Sequence, residues 1–422
     1  MKLSLSIYVM LYALWLMPAS AADEPVLGSN LAGLLDYARE HNPEFAAMRY
    51  EADAALQRVQ PADALPDPVL RTELMDITNQ GTDKGTSLLP SQVGATRYTL
   101  MQSVPWFGKR DLQRELAEAR YTQSGGQVAA TWAELASRIK SVYAMHYFAT
   151  ASERLAQQTL ELLDRMEQVA QTRYANGIGT QQDVIRVQVE QTMLHSELIA
   201  LQNERHHTHA RLNALLSRPV SAPLSEPIQL RAMPAAAKLD ETTLLERLVA
   251  QNPQLRIADA NIQSAEKSRD LAYVNRYPGF ILGVIPTQSG NSIKTWDLMV
   301  ELNIPLQQSS RRSQERESES MLAASTARKE ALRYQVQSDL SENLSALEAA
   351  QRTESLIATR LLPQAELTYQ SALAGYETGK VEFAMLIEAQ KQILKSRQQQ
   401  LQAQTDMQLR LADIEKSLGE EL

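Results

Sequence analysis

The chain is 422 residues long, carries no cysteine, and sets 50 acidic against 42 basic side chains for a formal net charge of −8. Without cysteine it has no disulfide, no thiol nucleophile, no zinc–thiolate site and no N-terminal cysteine for lipid attachment. Charges of both signs are spread along the chain and no basic stretch is interleaved with aromatics, so nucleic acid is not expected as a partner.

The first expected element is a leader. Met1-Lys2, an apolar run from Leu3 to Met17 and the small residues Ala19 to Ala22 form the pattern of a secretory signal peptide over 1–22, cleaved near Ala21 or Ala22. After it, no window holds the roughly 18 apolar residues that a membrane-spanning helix needs. Asn42-Pro43 marks a helix start, because asparagine is a favoured cap and proline at the first helical position loses only an amide that had no partner. Strands are expected at Val69–Met75 and Thr96–Val104, with a polar loop from Asp76 to Gln92 between them.

From Lys109 to Tyr174 only Gly125-Gly126 interrupts a helical pattern. Val128, Trp132, Leu135, Ile139 and Val142 keep heptad spacing there, and Leu155, Leu162, Met166 and Val169 continue it. At 1.5 Å per residue such a helix is about 100 Å long, which no compact domain accommodates. Tyr174-Ala175-Asn176-Gly177 then reverses the chain, and a return helix carries Val184, Val187, Leu194, Leu198 and Leu201.

A proline-rich segment, 217–239, leads into a second copy of the same order. Asn252-Pro253 repeats Asn42-Pro43 at an offset of 210; Pro278 matches Pro68, Pro305 matches Pro105, and Tyr376-Glu377-Thr378-Gly379 matches the first glycine turn. Strands are expected at Phe280–Ile285 and Trp296–Ile304, with a loop from Thr287 to Lys294. The second long helix runs from about Arg312 to Tyr376 with a kink at Pro363, and its return helix carries Leu386, Leu394, Leu401, Leu411, Ile414 and Leu418. The expected fold is mainly α with a small β part. It consists of two repeats, 23–216 and 240–422, each made of a helix, two strands and a long antiparallel helical hairpin.

In the last strand Trp296, Leu298, Val300, Leu302 and Ile304 alternate with Asp297, Met299, Glu301 and Asn303, so the sheet has one apolar and one polar face. Four strands cannot bury both faces or pair both edges in a chain dominated by helix. The alternation by itself equally fits a soluble sandwich, but an exported protein can resolve the unburied face and unpaired edges by pooling strands from several subunits into a closed barrel whose apolar face meets lipid.

The duplicated Asn-Pro pairs, the prolines at strand entry, the two Tyr-x-x-Gly turns and Arg211-Leu212-Asn213-Ala214-Leu215-Leu216 together resemble the TolC-like family of outer-membrane efflux proteins, over about Asn30 to Leu418. The resemblance implies a homotrimer in which four strands per chain build one twelve-stranded outer-membrane β-barrel, continued into the periplasm as a helical tunnel. It also implies a passive channel in the outer membrane of a Gram-negative bacterium. Its partners would be outer-membrane lipid, a periplasmic membrane-fusion adaptor and an inner-membrane RND-type pump. Within the family, Pro105-Trp106-Phe107-Gly108-Lys109-Arg110 is similar to a Pro-x-x-Gly-Lys-Arg segment of the heavy-metal branch, the CzcC-like subunits of cation exporters. That similarity implies metal cations as cargo, with drugs or organic solutes as the alternative. Read from the residues alone, Gly108 turns the chain from strand to helix and Lys109 with Arg110 sits at the membrane boundary. Some CzcC-like relatives carry a lipid on an N-terminal cysteine, and the absence of one here leaves anchoring to the barrel.

At the far end of the hairpins, Tyr174, Gly177, Tyr376 and Gly379 form tip turns suited to docking an adaptor. Beyond them Asp183 and Arg186 align with Met385 and Glu388, where the family places the acidic residues of a tunnel constriction, and Arg186 is expected to pair with Asp183 or Glu388. His206 and His209 lie one helical turn apart, but their charged neighbours Glu204, Arg205 and Arg211 favour a solvated helix end over a metal site; His41, His146 and His195 stand alone. No nucleophile–base pair, phosphate loop or metal cluster occurs at usable spacing, so neither catalysis nor a cofactor is expected. A periplasmic coiled-coil adaptor is the alternative of another class. It predicts one hairpin and lipoyl-like β segments, where this chain has a duplication and four amphipathic strands.

Overall fold

The computed structural model describes residues 27–78 and 85–422. The expected leader and the middle of the Asp76–Gln92 loop lie outside the described residues. In chain order the first repeat comprises α1 (Leu31–His41), α2 (Pro43–Gln57), the short α3 (Val59–Ala62), β1 (Val69–Met75), β2 (Ala95–Val104), α4 (Lys109–Ala175) and α5 (Gln181–Leu215). The second comprises α6 (Glu241–Gln251), α7 (Pro253–Val274), β3 (Gly279–Ser289), β4 (Ser292–Asn303), α8 (Gln308–Leu356), α9 (Leu362–Glu377) and α10 (Phe383–Leu418). The duplication is therefore structural, and α4 with its 67 residues is about 100 Å long.

The core is divided along this length. Near the tips Ala156, Leu163, Met166 and Ala170 of α4 pack with Val187, Leu194, Phe383 and Leu386. Midway, Leu34, Ala38, Leu135, Ile139, Val142 and Leu212 fill the first repeat, and Leu244, Leu248, Val336, Leu340, Ile414 and Leu418 fill the second. The upper heptad seam of α4 is thus where the periodicity puts it. In the lower one Met166 is buried as expected, but Ala156, Leu163 and Ala170 are buried in place of Leu155, Leu162 and Val169, and Val169 is exposed. Small residues let neighbouring helices come close, and the apolar pattern alone does not weigh alanine against valine.

Each Asn-Pro pair does more than start a helix. Asn42 accepts a hydrogen bond from the Phe45 amide (3.0 Å) while its side-chain amide donates to the Leu215 carbonyl (2.9 Å). Asn252 does the same with the Leu255 amide (2.8 Å) and the Ser417 carbonyl (2.7 Å). One buried side chain caps an incoming helix and satisfies an orphan carbonyl at the end of the outgoing one.

Gly126 is needed where α4 meets α7, since a Cβ there would stand 2.7 Å from Ile257 Cγ1; Gly125 faces open space. Pro363 does not break the second long helix. A π turn at Ile357–Leu361 precedes it, and α9 continues with the proline in its first turn, where no amide is missed.

All four strands form one antiparallel sheet in the order β1-β2-β3-β4, and the β2–β3 ladder joins the repeats. The expected Thr287–Lys294 loop is instead paired strand. Thr287 faces Thr295, Gln288 faces Ile293, and Gly290-Asn291 closes a tight hairpin with Gly290 at φ +61°. β-Branched residues on both arms and a glycine at the positive-φ position favour that hairpin over an open loop.

Candidate functional site

Three surfaces were expected to carry function: the sheet face, the strand-to-helix junctions and the hairpin tips. On the sheet, register places Leu70, Leu100, Val284 and Leu298 directly across all four strands, and every one of them is exposed. Leu282, Val300, Leu302 and Trp296 extend the same face. The opposite face carries Arg71, Glu73, Arg97, Asp297 and Glu301, with Glu73 and Arg97 facing one another. Among the described residues nothing pairs with the outer edge of β1 or of β4.

Of the junction residues Pro105, Gly108, Lys109 and Arg110, Gly108 and Arg110 have local work. Gly108 takes φ +76°, which permits the sharp entry into α4 at Lys109. Arg110 donates to the Asp63 carbonyl and so holds the end of α3. Trp106 stacks on Tyr277 (4.8 Å between ring centroids) and on Phe280 (5.7 Å), and Phe107 beside it is exposed. Since Phe280 belongs to the apolar face, these aromatics mark the lower border of that face. Sequence reasoning missed this cluster; the aromatic content of Trp106-Phe107, Tyr277 and Phe280 at three strand ends was the available signal.

At the tips both glycine turns are helix caps of the same kind. Gly177 (φ +70°) and Gly379 (φ +72°) sit in left-handed conformation, and the amides of Ile178 and Lys380 reach back to the Arg173 and Gly375 carbonyls (2.9 and 2.8 Å). The two tyrosines differ. Tyr174 is exposed, whereas Tyr376 is buried against Phe383 and under the Arg173 guanidinium, 4.7 Å from the ring centroid. Burial pushes the Tyr376 hydroxyl pKa up, against the pull of Arg173.

Asp183 does not pair with Arg186 within the chain. Its carboxylate accepts from the Thr180 amide and the Thr180 hydroxyl accepts from the Asp183 amide, both at 3.2 Å, closing a capping box on α5. Arg186 and Glu388 are exposed, and among the described residues neither makes an ion pair. The local geometry of the cap claims the carboxylate before a neighbour one turn on can reach it.

The histidines regroup as well. His206 and His207 are exposed, while His209 turns toward buried His146, whose Nδ1 lies 2.9 Å from the Thr208 hydroxyl. That hydroxyl also lies 3.0 Å from the Glu204 and Arg205 carbonyls of its own helix. Burial, with His209 and Arg205 nearby, holds the His146 pKa down at about 4. Among the described residues no three His, Asp or Glu side chains come together as a metal site.

A second buried group joins the repeats. Lys140 of α4 pairs with Glu415 of α10 (2.9 Å) and with Glu421 (3.0 Å), and Arg231 from the intervening segment completes Glu415 at 2.9 Å.

The sequence matches the family model described as outer membrane efflux protein over residues 34–218 and 244–420, one stretch per repeat. No curated protein matches the chain. Among solved structures it is similar to the outer-membrane channel OprN, with a TM-score of 0.79 and 18% identity, covering 94% of this chain and 90% of that one. It is also similar to CusC, a transmembrane channel, with a TM-score of 0.78, 17% identity and 92% of each chain covered. The outer membrane protein VceC of Vibrio cholerae gives a TM-score of 0.77 at 15% identity, covering 93% of this chain and 96% of that one. At these identities the likeness is one of fold.

Proposed function

The chain belongs to the outer membrane efflux protein family, and from that premise we propose that it is one third of a homotrimeric channel that conducts solutes passively out of the periplasm. The observation that carries this reading is the open sheet: a continuous apolar face and two unpaired edges in one chain, mounted on hairpins about 100 Å long. Three copies close the edges into a twelve-stranded barrel. The 12 residues of β4 span about 36–40 Å, which at a tilt of roughly 40° is about 30 Å along the barrel axis, enough for an outer-membrane apolar band about 25 Å tall.

Exported by its leader, the chain lies with its tips toward a periplasmic adaptor and an RND-type pump. Tyr174, Gly177, Tyr376 and Gly379 shape the docking end, and Asp183, Arg186 and Glu388 ring its mouth. Mass measurement in mild detergent is expected to give a trimer; a stable monomer refutes the architecture. For the mouth, Glu388→Ala combined with Asp183→Asn, which preserves the cap acceptor, is expected to raise single-channel conductance and weaken cation preference. Unchanged conductance and selectivity make these residues surface charge.

We propose heavy-metal cations as the cargo, on the resemblance of Pro105 to Arg110 to the metal branch. Gly108, Arg110 and Trp106 each also have a structural reason to be where they are, so the cargo is decided by phenotype. Deleting the gene is expected to sensitise cells to heavy-metal ions more than to dyes or antibiotics, and the reverse ranking assigns the channel to organic solutes.

A further inference from the structure

One row of α8 lies open although its counterpart on α4 is covered. Core positions set the equivalence: Leu135 and Ile139 of α4 correspond to Val336 and Leu340 of α8 at an offset of 201, and all four are buried. Ala119, Gly126 and Ala133, spaced seven apart on one side of α4, are buried too. α7 runs antiparallel along that side, with Ile257 at Gly126 and Lys267 bonded to Glu115 at 2.7 Å. The α8 counterparts Ser320, Ala327 and Tyr334 are exposed.

α2 is short of a neighbour in the same way. At the offset of 210 it corresponds to α7, and the core positions Phe45 and Leu255 are buried in both. On the side of α7 that meets α4 stand Ile257 and, one turn on, buried Ala260; their counterparts Ala47 and Tyr50 are exposed, Tyr50 at 73%. The bulk has moved in step with the surface it would meet. Within the chain Ile257 stands over a glycine, and Ala260 comes level with Thr122 and Gln123. On α8 the same levels hold Ala327, which suits Ala47, and Ala323 with Ala324, which leave room for Tyr50. Close packing requires that exchange of volume, whereas unrelated solvent-facing residues have no reason to show it.

The strand edges agree. β4 and β1 are the counterparts of β2 and β3, whose ladder joins the repeats, and they too run antiparallel. With Pro105 and Pro305 taken as equivalent, the pair Ser103–Ile281 places Asn303 opposite Arg71 of a neighbouring copy, and Glu301 is then diagonal to Arg71 on the same polar face. Arg71 and Glu301 are exposed, and neither makes an ion pair among the described residues.

We propose that copies of this chain join by repeating the joint between its own two repeats. β4 and α8 of one copy receive β1 and α2 of the next, with Ala47 against Ala327, Tyr50 against Ala323 and Ala324, and Arg71 reaching Glu301. The proposal rests on the trimer reading and adds to it which faces meet and at which residues.

The test uses the full-length protein in mild detergent, where the absence of native cysteine leaves no background cross-link. On oxidation A47C/A327C is expected to give disulfide-linked dimers and trimers, at least about tenfold more than A47C/S338C, whose second cysteine stands about 16 Å further along the same side of α8. R71E and E301R are each expected to lower the denaturant midpoint for trimer dissociation, and R71E/E301R to bring it back toward wild type. A protein that is trimeric by mass but forms no A47C/A327C cross-link overturns the proposal and leaves the trimer standing. So does a double reversal that dissociates as readily as the worse single variant. A chain that is monomeric by mass removes the trimer reading itself, and this proposal with it.

Discussion

Replacing Asn252 by alanine is expected to weaken the helical part of the protein by about 2–4 kcal/mol, and the figure is built from two separate losses. Asn252 is 3% exposed, so nothing replaces its contacts with solvent. Losing the cap on the Leu255 amide costs about 1 kcal/mol. Losing the donor to the Ser417 carbonyl leaves a buried acceptor unpaired, which costs about 1–3 kcal/mol. The site has no room to relax, since a Cβ at Gly419, two residues past Ser417, would stand 2.8 Å from the Pro253 ring. Asn252→Ser separates the terms: the hydroxyl still caps Leu255 but is too short for Ser417, so it is expected to recover only the first. Asn252→Asp keeps the cap acceptor and sets a carboxylate against a carbonyl, so it is expected to be no better than serine. The assay is denaturant unfolding of the detergent-solubilised protein followed by helical circular dichroism, comparing midpoints at unchanged slope. If Asn252→Ala falls within about 0.5 kcal/mol of wild type, or if serine and wild type coincide, the double role assigned to this side chain is wrong.

The adjacent glycines of α4 are expected to respond in opposite directions. Gly125→Ala enters open space and should stabilise by about 0.5–1 kcal/mol, whereas Gly126→Ala must displace Ile257 and should destabilise; thermal unfolding of the two variants checks the sign. His146 makes stability depend on pH. With its folded pKa at about 4, below the ordinary value of 6.5, its contribution is complete above pH 6.5 and is lost as pH falls from there toward 4, by about 3 kcal/mol in all. His146→Gln is expected to flatten this part of the stability profile, and an unchanged slope between pH 6.5 and 4 refutes the assignment. Glu134, held low by the hydrogen bond from Lys416, acts in the same direction but only below pH 4.5, so the two are separable by titration.

Local chemistry was legible in the sequence and distant partnership was not. Asn42-Pro43 and Asn252-Pro253 announce helix starts because capping is decided within four residues. Their second role joins Asn42 to Leu215 and Asn252 to Ser417, and no local pattern points across that distance. The tie between Lys140 and Glu415 spans 275 residues, and in the sequence each is one charge among many. Strand alternation identified the apolar face of β4 but misjudged its length, because Thr287 to Lys294 is polar enough to pass for a loop while remaining β-branched enough to pair. Of the two partners expected for Arg186, Asp183 is engaged within the chain by Thr180, because the free helix end lies nearer to its carboxylate than a guanidinium one turn on.

The two repeats have diverged at the tips, and the divergence follows from one steric demand met twice. The residue two before the last of the helix must lie against the residue two past the cap glycine, so one of the two has to be glycine. In the first repeat Gly179 yields to Arg173, with a Cβ space of 3.0 Å; in the second Gly375 yields to Val381, with 2.4 Å. Placing the side chain on opposite arms has consequences. Arg173 projects over the Tyr376 ring, and Tyr376 with Phe383 is drawn into the core. Tyr174 has no such cover and stays in solvent beside exposed Ile178. The second return helix lost its capping box, with Glu382 and Met385 in place of Thr180 and Asp183, and the burial of Phe383 holds its start instead. In the trimer proposed above this end would carry six tips of two kinds, one with Tyr174 and Ile178 exposed and one charged by Glu377, Lys380 and Glu382, although both descend from one repeat.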